Sequence, residues 1–170
     1  MDLKKIVRDV PDFPKPGIIF KDITPLLQDP AAFRYIIDQM VARYKNHKID
    51  VIAGIESRGF LFASVLAYAL GKPLVVIRKK GKLPHLTVSY TYQLEYGQDT
   101  IEIHGDAVPK GSKVLIVDDL LATGGTAEAA AKLVEKMGGE VGEIAFIIEL
   151  AFLKGREKLK NYSVFHLIEY

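Results

Sequence analysis

The chain has 170 residues, 49% hydrophobic and 26% charged, with a net charge of +2 and no cysteine. This length implies one domain with a real core, 1–170, and the near-neutral charge does not suggest a nucleic-acid-binding surface. Disulfides and thiolate chemistry are excluded, and four scattered histidines without cysteine argue against a protein-built zinc site. No apolar run reaches a membrane span or resembles a signal peptide, so a cytoplasmic protein is expected.

In chain order, Leu3, Ile6, Val7 and Val10 recur at helical spacing behind Asp2, a candidate N-cap. Pro11, Pro14, Pro16 and Pro25 then predict an irregular stretch. It is nonetheless apolar, with Phe13, Ile18, Ile19, Phe20, Ile23, Leu26 and Leu27, and reads as either a cover for the core or a lid over a ligand. Asp29-Pro30 opens a helix whose apolar face is Phe33, Ile36, Ile37, Met40, Val41 and Tyr44. A strand over 51–55 leads through Glu56-Ser57-Arg58-Gly59 into a helix over 60–70, closed by Gly71. Residues 74–77 form the next buried strand. Arg78-Lys79-Lys80-Gly81-Lys82 follows, a charge run that taken alone reads as solvated surface. Residues 87–92 and 100–104 alternate like hairpin arms, and the long polar stretch 79–99 suits a mobile lid.

The next unit organises the chain. Val114-Leu115-Ile116-Val117 reads as a buried parallel strand ending in Asp118 and Asp119. Leu120-Leu121-Ala122-Thr123-Gly124-Gly125-Thr126 makes a small-residue turn, and a helix of strong formers runs from Ala127 to Met137 before Gly138-Gly139. The unpaired N–H groups that open a helix grip phosphate, and two glycines let the backbone wrap it. Carboxylates at the strand end would repel that phosphate but accept hydrogen bonds from sugar hydroxyls one turn away. The ligand this order implies is a ribose 5-phosphate. A strand at 144–150, a short basic helix at 154–160 and a last strand at 164–167 complete an alternation expected of a doubly wound, mainly parallel α/β sheet.

The Asp118–Thr126 stretch resembles the phosphoribosyl-diphosphate (PRPP) motif of type I phosphoribosyltransferases. Phe13-Pro14-x-Pro16-Gly17-x-x-Phe20-x-Asp22-Ile23, Gly54-Ile55-Glu56-Ser57-Arg58-Gly59-Phe60, Arg78-Lys79-x-Gly81-Lys82-Leu83-Pro84, Leu94-Glu95-Tyr96-Gly97 and Lys154-Gly155-Arg156-Glu157 accompany it in order. Together they resemble the adenine phosphoribosyltransferase family along essentially the whole chain.

That resemblance implies transfer from PRPP to adenine with Mg²⁺ held mainly by substrate and water rather than by protein ligands. It assigns Glu95, Arg58, Asp118 and Asp119 to catalysis, Glu95 as acid/base. Ala122, Thr123, Gly124, Gly125 and Thr126 fall to the phosphate loop, and Glu56, Ser57, Arg58, Arg78, Lys79 and Lys82 to the diphosphate, with an often cis Glu56-Ser57 peptide. Ile19, Phe20, Lys21 and Leu150 fall to the base, in a hood over 1–28. A homodimer is expected, with Arg78 or Lys80 reaching the neighbour's diphosphate. Another purine as acceptor, or a non-catalytic PRPP-sensing regulator, are the alternative readings.

Overall fold

The computed structural model describes residues 1–94 and 97–170. They group into two compact units, Met1–Ala42 and Arg43–Tyr170.

The first unit departs from the opening helix and irregular stretch expected of it. Only Leu3–Lys5 make a 3-10 turn, and Asp2 gives it no side-chain cap. Then β1 (Arg8–Pro11) and β2 (Ile19–Asp22) pair antiparallel in a two-stranded ribbon, with Val10 opposite Phe20. The prolines permit this because of where they fall. Pro11 ends a strand, and Pro14 and Pro16 lie in the connection, where no ladder N–H is required. Pro25 lies in the first turn of a short helix, α1 (Thr24–Gln28), which tolerates its missing N–H. Phe13, Ile18 and Ile19 are exposed, whereas Ile23 and Leu26 are buried. Helix α2 (Pro30–Tyr44) starts where expected, because Asp29 Oδ1 accepts hydrogen bonds from the N–H of Ala31 at 2.8 Å and of Ala32 at 3.2 Å.

The second unit is built on a seven-stranded sheet. Its elements are β3 (Val51–Ile55), α3 (Gly59–Leu70), β4 (Leu74–Lys79), β5 (Thr87–Gln93), β6 (Gln98–His104), β7 (Lys113–Leu121), α4 (Gly125–Lys136), β8 (Glu140–Glu149) and β9 (Val164–Glu169). Their order is β5-β6-β4-β3-β7-β8-β9. The five strands β4, β3, β7, β8 and β9 are parallel, and β6 is antiparallel to both β4 and β5. From β3 the chain winds through α3 to β4, and from β7 it winds the other way through α4 to β8. Right-handed crossovers in opposite directions place the two helices on opposite faces. Accordingly Val51, Ala53 and Ile55 cluster with Ala127 and Ala130 of α4. Gly54 faces α3 so closely that a Cβ there would stand 2.8 Å from that of Ala63. This is the expected doubly wound, mainly parallel sheet, and its winding reverses between β3 and β7, where such sheets hold ligands.

Three boundaries differ from the sequence reading. β7 runs on to Leu121, so Asp118 and Asp119 lie within the strand rather than at its end. α4 starts at Gly125, which takes Gly125 and Thr126 into its first turn. Residues 154–160 are not an α-helix. Two 3-10 turns, Ala151–Leu153 and Gly155–Glu157, are separated by Lys154 in the left-handed region at φ +54°, which no α-helix accommodates.

Candidate active site

Two connections meet at the reversal point. The first leaves β3 as Glu56-Ser57-Arg58, with the Glu56–Ser57 peptide cis. The Glu56 carboxyl is turned inward, 9% exposed. It accepts hydrogen bonds from the Lys79 backbone N–H at 2.8 Å and from Lys82 Nζ, and Arg78 Nε lies 3.4 Å away. Burial pushes this carboxyl up, but the hydrogen bonds from Lys82 and Lys79 outweigh it and hold Glu56 below the ordinary carboxylate range. Arg58 Nε stands 2.8 Å from Asp119 Oδ2 of β7, an ion pair without hydrogen-bond alignment. Gly59 allows this approach of α3 to β7, since a Cβ on it would sit 2.8 Å from both Asp118 Oδ1 and the Val117 carbonyl oxygen.

The second connection leaves β7 through Ala122-Thr123-Gly124 into α4. Gly124, at φ +82°, offers the helix no side-chain cap, and the helical ladder begins only with the Glu128 N–H bonded to the Gly124 carbonyl at 2.9 Å. The amides of Gly125, Thr126 and Ala127 therefore open the helix without ladder partners, as an anion cradle requires. Behind them, Asp118 Oδ1 accepts the Asp119 N–H at 2.8 Å. Burial, then the charge of Asp119, push the Asp118 carboxyl well above the ordinary range. Burial raises Asp119 as well, against the pull of Arg58. Two adjacent carboxylates in a half-closed site resist carrying two charges.

A third wall comes from the β5–β6 hairpin. Tyr92 Oη lies 3.1 Å from Thr126 Oγ1 of the loop and 3.5 Å from Asp99 Oδ2. Asp99 Oδ2 in turn lies 3.0 Å from Lys79 Nζ. That contact raises Lys79, and it holds Asp99 low despite the burial that opposes it. Burial raises Tyr92. One cavity of about 400 Å³ joins the three walls, lined by Glu56, Ser57, Arg58, Lys79, Asp118, Asp119, Ala122 and Thr126, with Tyr92 and Asp99. Thr123, Gly124 and Gly125 line an adjoining recess of about 100 Å³.

Most of the residues singled out in the sequence thus converge. Arg78 and Lys82 are turned onto Glu56 and do not line that cavity. Leu150 follows directly on β8, buried, its N–H bonded to the Leu121 carbonyl at 2.9 Å. Ile19, Phe20 and Lys21 form β2 of the first unit, where the Phe20 ring stands edge-on to Phe13 with centroids 5.1 Å apart and Lys21 Nζ reaches Asp9 Oδ1 at 2.6 Å. Glu95 lies outside the described residues. Sequence reasoning missed Tyr92 and Asp99, because alternation along a hairpin shows which residues share a face but not which side chains reach another loop.

No three acidic, histidine or cysteine side chains gather to hold a metal ion among the described residues, and no helix there is long and apolar enough to cross a membrane.

Residues 22–168 match the family model of the phosphoribosyl transferase domain. An adenine phosphoribosyltransferase of Solibacter usitatus is 56% identical over 99% of this chain and 98% of its own. The crystal structure of the Thermoanaerobacter pseudethanolicus adenine phosphoribosyltransferase superposes with a TM-score of 0.96 at 55% identity, covering 99% of this chain and 98% of that one. The Trypanosoma brucei enzyme, solved in complex with AMP, pyrophosphate and ribose-5-phosphate, gives 0.91 at 30% identity, covering 98% of this chain and 77% of that one. The chain belongs to the adenine phosphoribosyltransferases of the phosphoribosyl transferase family.

Proposed function

We infer that this protein transfers the 5-phosphoribosyl group of PRPP to adenine, giving AMP and diphosphate. The observation that carries the reading is the union, in one cavity, of uncapped helix amides, a carboxylate pair and cations at the winding reversal of a parallel sheet. An anion at the α4 start would sit one turn from Asp118 and Asp119. Those carboxylates can take the hydroxyls of the attached ribose, with Arg58, beside Asp119, and Lys79 in the same cavity for a second, larger anion.

The chemistry then follows from charge. Breaking the C1–O bond leaves positive charge on the sugar ring and negative charge on the departing diphosphate. Arg58 and Lys79 stabilise the leaving group, and Asp118 and Asp119 hold the ribose so that the base nitrogen meets C1 in line. The Glu56 carboxylate orders Arg78 and Lys82 at the edge of the same turn. Mg²⁺ suits this site as a substrate-borne ion, since among the described residues no three ligating side chains gather, and it would neutralise diphosphate charge. Glu95 is the acid/base that the family resemblance assigns to the adenine proton, and a lid at 79–99, which its polar sequence suits, would exclude water on closing.

Adenine is assigned to Ile19, Phe20, Lys21 and Leu150. Support comes from the proline-bounded ribbon in which β2 lies, whose backbone can set a C=O beside an N–H. Such a pair matches the donor at N6 and the acceptor at N1 of adenine, and it mismatches hypoxanthine at both. The reading extends to a cytoplasmic homodimer. The chain has no cysteine, and Phe13, Ile18 and Ile19 are exposed apolar side chains of the kind a second copy covers.

The test is a diphosphate-release assay with PRPP and each purine in turn. Adenine is expected to exceed hypoxanthine by about 10²–10⁴ in kcat/KM, from two buried mismatches. Comparable rates for both bases, or PRPP binding without turnover, overturn the reading.

A further inference from the structure

The segment joining β8 to β9 has no assigned role beyond Leu150, yet it lies directly against the phosphate loop. A Cβ on Gly155 would collide with the Ala122 carbonyl oxygen and stand 2.9 Å from Leu121 Cδ1. A Cβ on Gly124 would in turn collide with the Gly155 carbonyl oxygen. Both contacts involve backbone on each side, so neither partner has a rotamer through which to give way. Wherever the Gly155 turn stands, the loop must follow.

One side chain fixes that turn. Arg156 Nε is 2.8 Å from both oxygens of Glu149, and Nη2 is 2.8 Å from Oε2 of the same carboxylate. Nη2 also meets His166 Nδ1 at 2.8 Å, and Nη1 donates to the Val164 carbonyl at 3.2 Å. The Glu149 carboxylate is 5% exposed, and Glu149 pairs with Leu121, the last strand residue before the loop. The planar fork of an arginine reaches all these partners at once, and a lysine cannot; His166 Nδ1 also stands 2.6 Å from Glu149 Oε2. Arg156 therefore ties its own turn to β8 and β9 at the level where the loop leaves β7.

We propose that Arg156 is a positioning residue for PRPP: by clasping Glu149 it presses Gly155 against Ala122 and Gly124 and so shapes the loop that receives the 5-phosphate. This rests on the assignment of residues 122–126 to that phosphate.

The experiment is calorimetric titration of Arg156→Lys, Glu149→Gln and Gly155→Ala with ribose 5-phosphate, which carries the phosphate without base or diphosphate. Steady-state kinetics for both substrates accompany it. Each variant is expected to bind ribose 5-phosphate about tenfold more weakly and to raise KM for PRPP alike, with kcat and the KM for adenine held within about threefold. Because all act through one contact, Arg156→Lys combined with Gly155→Ala should lose no more than Gly155→Ala alone. Lower melting temperatures with unchanged ribose 5-phosphate binding would make the clasp a stabilising feature only and overturn the proposal. So would equal losses for both substrates, or additive losses in the double variant. Failure of the unmodified protein to bind ribose 5-phosphate would overturn the loop assignment itself, an outcome distinct from unmodified binding that the variants share. Arg156→Lys keeps the charge facing Glu149, so one variant remains measurable if Glu149→Gln does not fold.

Discussion

Asp118 shows how a site residue works against the fold that holds it. Burial and the neighbouring Asp119 raise its carboxyl well above the ordinary range, so the unliganded protein resists its ionisation. For a carboxyl raised on folding, stability is full below the unfolded value and falls as pH rises from there to the folded value. Asp118→Asn is therefore expected to raise the melting temperature near pH 7, while the Asn carbonyl still accepts the Asp119 N–H. Each 1 kcal/mol gained corresponds to roughly 2–4 °C at this size. The gain should vanish below about pH 4, where both forms are neutral. The same variant should lose about 10- to 150-fold in kcat/KM, the size of the one charge-assisted hydrogen bond to the ribose proposed for it. Scanning calorimetry across pH beside steady-state rates checks both halves, and a destabilised Asp118→Asn would contradict the first.

Among the elements, the β5–β6 hairpin separates what sequence shows from what it hides. Its alternation was legible, since Thr87–Gln93 and Gln98–His104 do pair. Its reach across the site was not, because Tyr92–Thr126 and Asp99–Lys79 join residues that no local period relates. Asp99 and Lys79 are 24% and 59% exposed, and a pair so placed contributes about 0.2–1 kcal/mol. Asp99→Asn should accordingly release Lys79 and tighten diphosphate binding by up to about fivefold. Titration with diphosphate checks this, and weaker binding would show that Asp99 helps hold the ligand. The β7–α4 unit was the most legible, since its strand, glycines and helix formers follow one another in sequence. Only its boundaries moved, as terminal residues commonly do. The first unit was the least legible. Its prolines predict an irregular stretch, whereas they sit at a strand end, in a connection and in a first helical turn. Leu3, Ile6, Val7 and Val10 fit a helical period by coincidence, with Val10 in a strand.

At the scale of the molecule, stability in acid depends on a cluster far from the β3/β7 carboxyl ends. Glu143, near the start of β8, accepts hydrogen bonds from Arg43 at 2.8 and 2.7 Å, from the Tyr44 hydroxyl at 2.6 Å and from Ser163 at 2.8 Å. Burial pushes this carboxyl up, but those bonds prevail and hold it below the ordinary range. A carboxyl lowered on folding contributes stability present above its unfolded value and lost as pH falls through the folded one. Glu143→Ala should thus cost about 2–4 kcal/mol at pH 7, less than a fully buried pair because Arg43 is 34% exposed. The deficit should shrink steadily below about pH 4 as the unmodified protein loses the same contribution. Chemical denaturation at pH 7 and pH 3 measures it, and a pH-independent deficit would assign the cost to packing instead. The overall architecture was visible in the sequence because alternating buried strands and glycine-closed helices admit few windings. This cluster was not, since it joins residues about 100 positions apart.

The cations in and beside the cavity have a further consequence in solution. Arg58 stands against Asp119, Lys79 against Asp99, and Lys82 and Arg78 against Glu56. Each of these cations already has a carboxylate as its counter-ion, so an arriving polyanion displaces the protein's own carboxylates rather than releasing counter-ions to bulk water. Binding that swaps one bound anion for another depends less on ionic strength than docking on an open basic patch, where each neutralised phosphate contributes its own salt dependence. The logarithm of the diphosphate affinity against the logarithm of salt should therefore fall with a slope well below the number of cations in contact. Replacing Asp99 and Glu56 by their amides should steepen that slope, a change that titrations at several salt concentrations read directly.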